Sequence, residues 1–257
     1  MASAPAHEIR SSQNPSFKKW RRWVLDPSNP ECPSIPLSGD KQVRELLPCP
    51  GARLLVVSHS RWDEWRDTAA GFREAAILPD HLLSQLSPVR TAPGVLAFFD
   101  KPSWGWDDLT PCVVFADGLQ DPGNLGTILR TAAGTGIFSL VTGPETVSCF
   151  NDKVVRATAG YLFSVPFLEH RKVEALTVRG YSWVVADPDG GTDLFSFRPR
   201  APLALLVGRE GGTRRKGPAE AIRVRIPMAA GIDSLNAGVA ASLIMYEVLR
   251  RQVEAET

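Results

Sequence analysis

Ile226-Pro227-Met228-Ala229-Ala230-Gly231-Ile232-Asp233-Ser234-Leu235-Asn236 leads out of a strand-like run and into an apolar helix. Small or polar groups, Gly231, Ser234 and Asn236, sit at this strand-to-helix turn. Two similar turns lie upstream: Asp121-Pro122-Gly123-Asn124-Leu125-Gly126, and Leu206-Val207-Gly208-Arg209-Glu210-Gly211-Gly212. Each follows a run that reads as a buried strand. Open α/β sheets bind ligands at turns of this kind, beyond the carboxyl ends of parallel strands. Three of them in one chain predict a site.

Around these turns, the chain from about residue 110 alternates strand and helix patterns. Strands are expected at Val113–Asp117, Phe138–Thr142, Trp183–Asp187, Leu203–Gly208 and Ile222–Ile226. Helices are expected at Leu125–Ala133, Asp152–Ala159, Val173–Arg179 and Asn236–Arg251. That alternation predicts an α/β fold with a mostly parallel sheet covered on both faces. Val239, Leu243, Tyr246 and Leu249 recur at helical spacing in the last helix, as a core face or a dimer face requires. Upstream, residues 37–99 read as a small α/β unit. It has strands at Leu54–Val57 and Val95–Phe99 and helices at Trp62–Phe72 and Asp80–Leu86. Residues 100–110, with Pro102, Ser103 and Gly105, read as a linker. Residues 1–36 carry a basic helix and then a Pro-rich segment, Pro27 to Pro36, in which no regular element is expected.

Composition narrows the function. The chain has 257 residues, is 44% hydrophobic and carries a formal net charge of +1. No apolar run reaches the roughly 18 residues of a membrane span, and Met1–Pro15 lacks the apolar stretch of a secretory signal. A cytoplasmic protein is the expectation. Cys32, Cys49, Cys112 and Cys149 show no CxxC spacing, and His7, His59, His81 and His170 are scattered, so no metal site is expected. Bulk charge announces no nucleic acid. Two local patches do: Lys18-Lys19-Trp20-Arg21-Arg22-Trp23, and Arg214-Arg215-Lys216 after the second Gly-rich turn. The alternative reading of each is a solvated charged face.

Among the turns, Asn124 reads as a helix N-cap. Arg130 stands in a helix of otherwise small and apolar residues, which points to a buried pair or an anion site. Glycines at 208, 211 and 212 let a ligand or backbone approach closely. Neither GxxxxGK[ST] nor GxGxxG is present, so the loop is neither a P-loop nor a dinucleotide fingerprint.

Taken in order, these residues resemble a known family. Asp121-Pro122-x-Asn124-x-Gly126-x-x-x-Arg130-Thr131-Ala132 resembles motif 1 of the SpoU/TrmH branch of the SPOUT RNA 2′-O-ribose methyltransferases. Gly208-x-Glu210-Gly211 resembles motif 2. Ile226-Pro227-Met228 through Ser234-Leu235-Asn236, with Ala240 and Glu247, resembles motif 3. Lys153–Gly160 is similar to the family's connecting helix, and residues 37–99 resemble its L30e-like RNA substrate-binding domain.

The resemblance implies a SPOUT α/β-knot over 111–257, with a deep C-terminal trefoil knot. It implies S-adenosyl-L-methionine bound in a bent shape by Leu206, Gly208, Ile226, Met228 and Leu235. It also implies a homodimer packed through the knot region and the C-terminal helix. The implied activity is S-adenosylmethionine-dependent 2′-O-methylation of ribosomal RNA. A tRNA enzyme and a catalytically silent RNA-binding member are the alternatives. Arg130, Asn124, Glu210, Ser234 and Asn236 are the implied catalytic set. A guanidinium scarcely releases its proton, so Arg130 is expected to hold an RNA phosphate and favour the 2′-alkoxide electrostatically. Asn124 and Asn236 would orient the ribose and Arg130, Glu210 would fix Arg130 or an active-site loop, and Ser234 would bond within its turn or to substrate. Lys18, Lys19, Arg21, Arg22, Arg156 and Arg214 are the expected RNA contacts, with Trp20 and Trp23 as stacking faces.

Overall fold

The computed structural model of the chain describes residues 6–49, 51–86, 94–208 and 218–256. It divides into two compact units, Met1–Ser103 with Phe150–Arg156, and Trp104–Cys149 with Ala157–Thr257.

The first unit runs β1 (Ala6–Glu8), α1 (Pro15–Leu25), β2 (Ser34–Ser38), α2 (Asp40–Glu45), β3 (Ala52–Ser58), α3 (Trp62–Ala69), β4 (Glu74–Leu78), α4 (Asp80–Leu86) and β5 (Val95–Asp100). Its sheet has the order β1-β4-β3-β5-β2, with β1, β4 and β3 mutually parallel and β5 antiparallel to both β3 and β2. The Pro-rich segment does form a strand, contrary to the sequence expectation. Pro36 is tolerated because β2 is an edge strand, where one missing N–H breaks no interior ladder. Helix α1 starts where Pro15 fixes a helical φ and the Asn14 side chain accepts from the Ser16 N–H at 2.8 Å. Phe17, Trp20 and Val24, spaced three and four apart, are buried in a cluster with Ile9, Leu54, Leu78 and Phe98.

The second unit runs β6 (Cys112–Asp117), α5 (Pro122–Thr135), β7 (Phe138–Thr142), α6 (Asp152–Ala157, all but its last residue grouped with the first unit), β8 (Phe167–Leu168), α7 (Glu174–Thr177), β9 (Ser182–Ala186), β10 (Thr192–Asp193), β11 (Leu203–Gly208), β12 (Ile222–Arg225) and α8 (Ala237–Glu256). Its seven strands lie in the order β10-β12-β9-β11-β6-β7-β8, and every described pairing is parallel. Strand order departs from chain order in a particular way: β11 inserts between β9 and β6, and β12 between β10 and β9.

The near-continuous apolar runs Cys112–Ala116 and Leu203–Val207 are buried on both faces, as central parallel strands require. One face packs Val113, Phe115, Val141, Trp183 and Leu206 into a core. Helix α8 lies against α5, β9 and β11. No helix among the described residues is long and apolar enough to cross a membrane.

Candidate active site

At the end of β6 the chain turns into α5. Asp121 is the N-cap: its Oδ1 accepts from the Gly123 N–H at 2.9 Å, and Pro122 takes the first helical position. This corrects the sequence reading of Asn124 as the cap. Asn124 stands inside the first turn, and its side chain is buried, with only 3% of the residue exposed. Six residues of helix rotate about 600°, which leaves Arg130 about 120° around the axis from Asn124. Arg130 is accordingly exposed, and it makes no ion pair among the described residues. Of the two expected environments, the buried pair is absent within those residues, and the anion-accessible position remains.

The carboxyl ends of β6 and β11 are level, because Gly208 pairs with Asp117. Among the described residues, leaving out its chain neighbours, no atom lies within 4 Å of where a Cβ at 208 would stand. Beyond β12, Ile226, Met228 and Leu235 are each only half-buried. Between them, the Ile232 N–H donates to the Ala229 carbonyl at 3.2 Å, with Gly231 at φ +86°. That left-handed value is what the third position of a type II turn demands, and it favours glycine. Ser234 is exposed on the same turn. Asn236 closes it by capping α8, its Oδ1 accepting from the Val239 N–H at 3.1 Å.

The fold brings the motif 1 and motif 3 candidates together. The first turn of α8 lies on the first turn of α5 at Asn124. One turn further, the Thr131 and Ser242 hydroxyls are 2.8 Å apart. Leu206 is placed differently, with its side chain in the core cluster with Phe115 and Trp183. Glu210 and Arg214 lie outside the described residues. Further along α8, Glu247 is buried and accepts from Arg250 and Arg251, both at 2.7 Å. The Arg250 hydrogen bond leads, Arg251 adds to it, and together they outweigh burial to hold the Glu247 carboxyl below the usual carboxylate range.

In the first unit, Lys18, Lys19, Arg21 and Arg22 are exposed on α1. Arg156 is exposed on α6 and paired with Asp152 at 2.7 Å. Trp20 is buried at 4% exposure and cannot present a face to a base, which corrects its reading as a stacking residue. Trp23 is half-buried, edge-on to Phe98 and under the Lys19 ammonium at 4.7 Å.

Sequence reasoning missed the Asp121 cap, although Asp-Pro before an apolar run is a start signal. It also missed the Thr131–Ser242 contact, for which residues 111 positions apart leave no local trace.

The chain is similar to known proteins in sequence and fold. The family model described as SpoU rRNA Methylase family matches residues 111–246. A Staphylococcus haemolyticus protein, placed by name in the TrmH family of tRNA/rRNA methyltransferases, is 36% identical over 151 residues, which is 54% of this chain and 59% of that one. The chain thus spans about three fifths of the length of the Staphylococcus relatives it matches. The Bacillus subtilis 23S rRNA (guanosine(2553)-2′-O)-methyltransferase RlmP is 26% identical over 94% of this chain and 98% of its own. The crystal structure of an AdoMet-bound rRNA methyltransferase from Sinorhizobium meliloti superposes with a TM-score of 0.80 at 26% identity, covering 95% of this chain and 98% of that one.

Proposed function

Because the chain belongs to the SpoU rRNA Methylase family over more than half of its length, we propose that it transfers the methyl group of S-adenosyl-L-methionine to a ribose 2′-oxygen of ribosomal RNA. The observation that carries this reading is the meeting of the turns that open α5 and α8, beside a parallel sheet whose strands β6 and β11 end level. They put Asn124, exposed Arg130 and the Asn236 cap on two helices in direct contact.

The residues present fit the cofactor. No atom of the described residues beyond its chain neighbours crowds Gly208, which suits a ligand held against backbone. Half-buried Ile226, Met228 and Leu235 offer apolar surface for a purine and the methylene groups of the cofactor's methionyl chain. Leu206 would contribute through its backbone, since its side chain is in the core. When bound, the sulfonium supplies an activated methyl group.

The chain's own residues must then align the ribose and favour loss of the 2′-proton. Exposed Arg130 places a permanent cation where an RNA phosphate can reach it, lowering the hydroxyl's pKa through space. Buried Asn124 holds the helix that carries Arg130. Asn236 caps α8 with its carbonyl arm and would orient the ribose from this exposed position. Ser234 would bond to substrate from its exposed turn, and Glu210 would fix Arg130 or the loop after β11.

The same reading includes a trefoil knot, supported by the late insertion of β11 and β12 between strands already laid down. It includes a homodimer. Val239, Leu243, Tyr246 and Val253 follow heptad-like spacing along α8 and stay 44%, 42%, 52% and 55% exposed, an apolar stripe suited to a second copy. It also includes an L30e-like substrate domain over 37–99, the α1 cations, Arg156 and Arg214 as phosphate contacts, and a cytoplasmic location. The test is transfer of labelled methyl from the cofactor to rRNA and tRNA transcripts. Label in ribose 2′-positions of rRNA is expected; label in tRNA alone favours the tRNA reading, and none in either RNA removes the proposal. Replacing Lys18, Lys19, Arg21 and Arg22 together by Ala should weaken rRNA binding and flatten its salt dependence. Unchanged affinity at low salt would remove α1 from the footprint.

A further inference from the structure

Gly238 occupies the second position of α8, where an alanine would be the better helix former. Its φ is not in the left-handed region, so backbone conformation does not call for glycine. Close approach does. A Cβ at 238 would stand 3.2 Å from the Asn124 carbonyl oxygen, 3.2 Å from the Thr127 Cβ and 3.3 Å from the Asn124 Cα. Each of these is tighter than a normal contact, and two belong to the backbone of a buried helical turn, which yields less easily than a flexible side chain. The residues that would have to give way are Asn124 and Thr127.

The rest of the seam runs from this point. Ser242, one turn along α8, donates to the Gly238 carbonyl at 2.7 Å and meets the Thr131 hydroxyl at 2.8 Å. Thr127 donates to the Gly123 carbonyl at 2.8 Å, turning its hydroxyl back onto its own helix. Two turns on, Gly134 faces Tyr246, and there a Cβ would meet only the phenol oxygen at 3.3 Å, the far end of a movable side chain.

We propose that Gly238 is a positioning residue: its missing side chain sets how closely α8 seats on α5, and so fixes the Asn236 cap against Asn124 and Arg130. The inference rests on the methyl-transfer reading above and adds to it a residue outside the catalytic set. Misplacing reacting groups by a fraction of an ångström to one ångström costs rate more than binding.

The test compares parent, Gly238→Ala and Gly134→Ala in steady-state methyl transfer, with far-UV circular dichroism and thermal melts of each. Gly238→Ala should remain folded and lose tenfold or more in kcat, with KM for RNA changed less than threefold. Gly134→Ala, on the same seam, should keep the parent's kcat. A folded Gly238→Ala with kcat within twofold of the parent overturns the inference and leaves the activity standing, as does an equal loss in Gly134→Ala. A parent without transfer removes the activity and the inference together. If Gly238→Ala fails to fold, Ser242→Ala serves in its place: it loosens the seam without adding volume, and it should lower kcat with KM held; an unchanged kcat again overturns the inference.

Discussion

Asn124 and Asn236 occupy similar places in the sequence, each in a polar turn just ahead of an apolar helix, yet the fold uses them in opposite ways. Asn236 is exposed and caps α8 with its own side chain. Asn124 is buried one turn inside α5, because Asp121 has already taken the cap. One asparagine therefore faces the solvent side of the turn, where a substrate can arrive, and the other faces the protein and holds a helix. The reactive candidate on α5 is Arg130, which shares that helix and leaves the protein on another side.

The largest effect that sharpens this contrast is expected at Arg130. Arg130→Ala should lower methyl transfer by about 100- to 1,000-fold, with a melting temperature close to the parent's because the side chain is exposed. Near-native turnover would dissociate Arg130 from the chemistry. Next, Asn124→Ala should cost stability, by about 1–3 kcal/mol for a buried polar group whose partners are left unpaired, measured by urea unfolding. An unchanged midpoint would deny the buried, holding role.

Glu247, further along α8, comes third. Its Arg250 and Arg251 partners depress its pKa, so its contribution is complete above the ordinary value of 4.5 and is lost as pH falls through the lower, folded value. Glu247→Gln should therefore be less stable than the parent by about 1–2 kcal/mol near neutrality. The gap should close in acid, and a pH-independent gap would contradict the ion-pair account. The smallest stability effect belongs to Asn236. Asn236→Ala should lose about 1 kcal/mol of capping, and Asn236→Asp should restore the cap without restoring turnover. If Asn236→Asp recovers both, the cap alone explains this residue.

The contrast also marks how far the sequence could be read. The parallel sheet was legible because β6 and β11 are unbroken apolar runs and each leads to a polar turn. β8 and β10, two residues each, carry too little pattern to be seen. The edge strand β2 was hidden by Pro36, whose meaning depends on a neighbour more than 60 residues away. Arg130 and the three turns stood out as motifs. Gly238 did not, since a glycine's reason for being there is the backbone it touches on another helix. Likewise the burial of Trp20 follows from the sheet beneath α1, while its neighbours Lys18 to Arg22 suggest only a basic face.

The most direct test of the central claim is a map of 2′-O-methyl positions, by primer-extension arrest at low nucleotide concentration, on rRNA and tRNA from cells with and without the gene. A discrete arrest in rRNA should disappear with the gene, return with the wild-type chain and fail to return with Arg130→Ala. Identical rRNA patterns in the presence and absence of the gene would contradict the account.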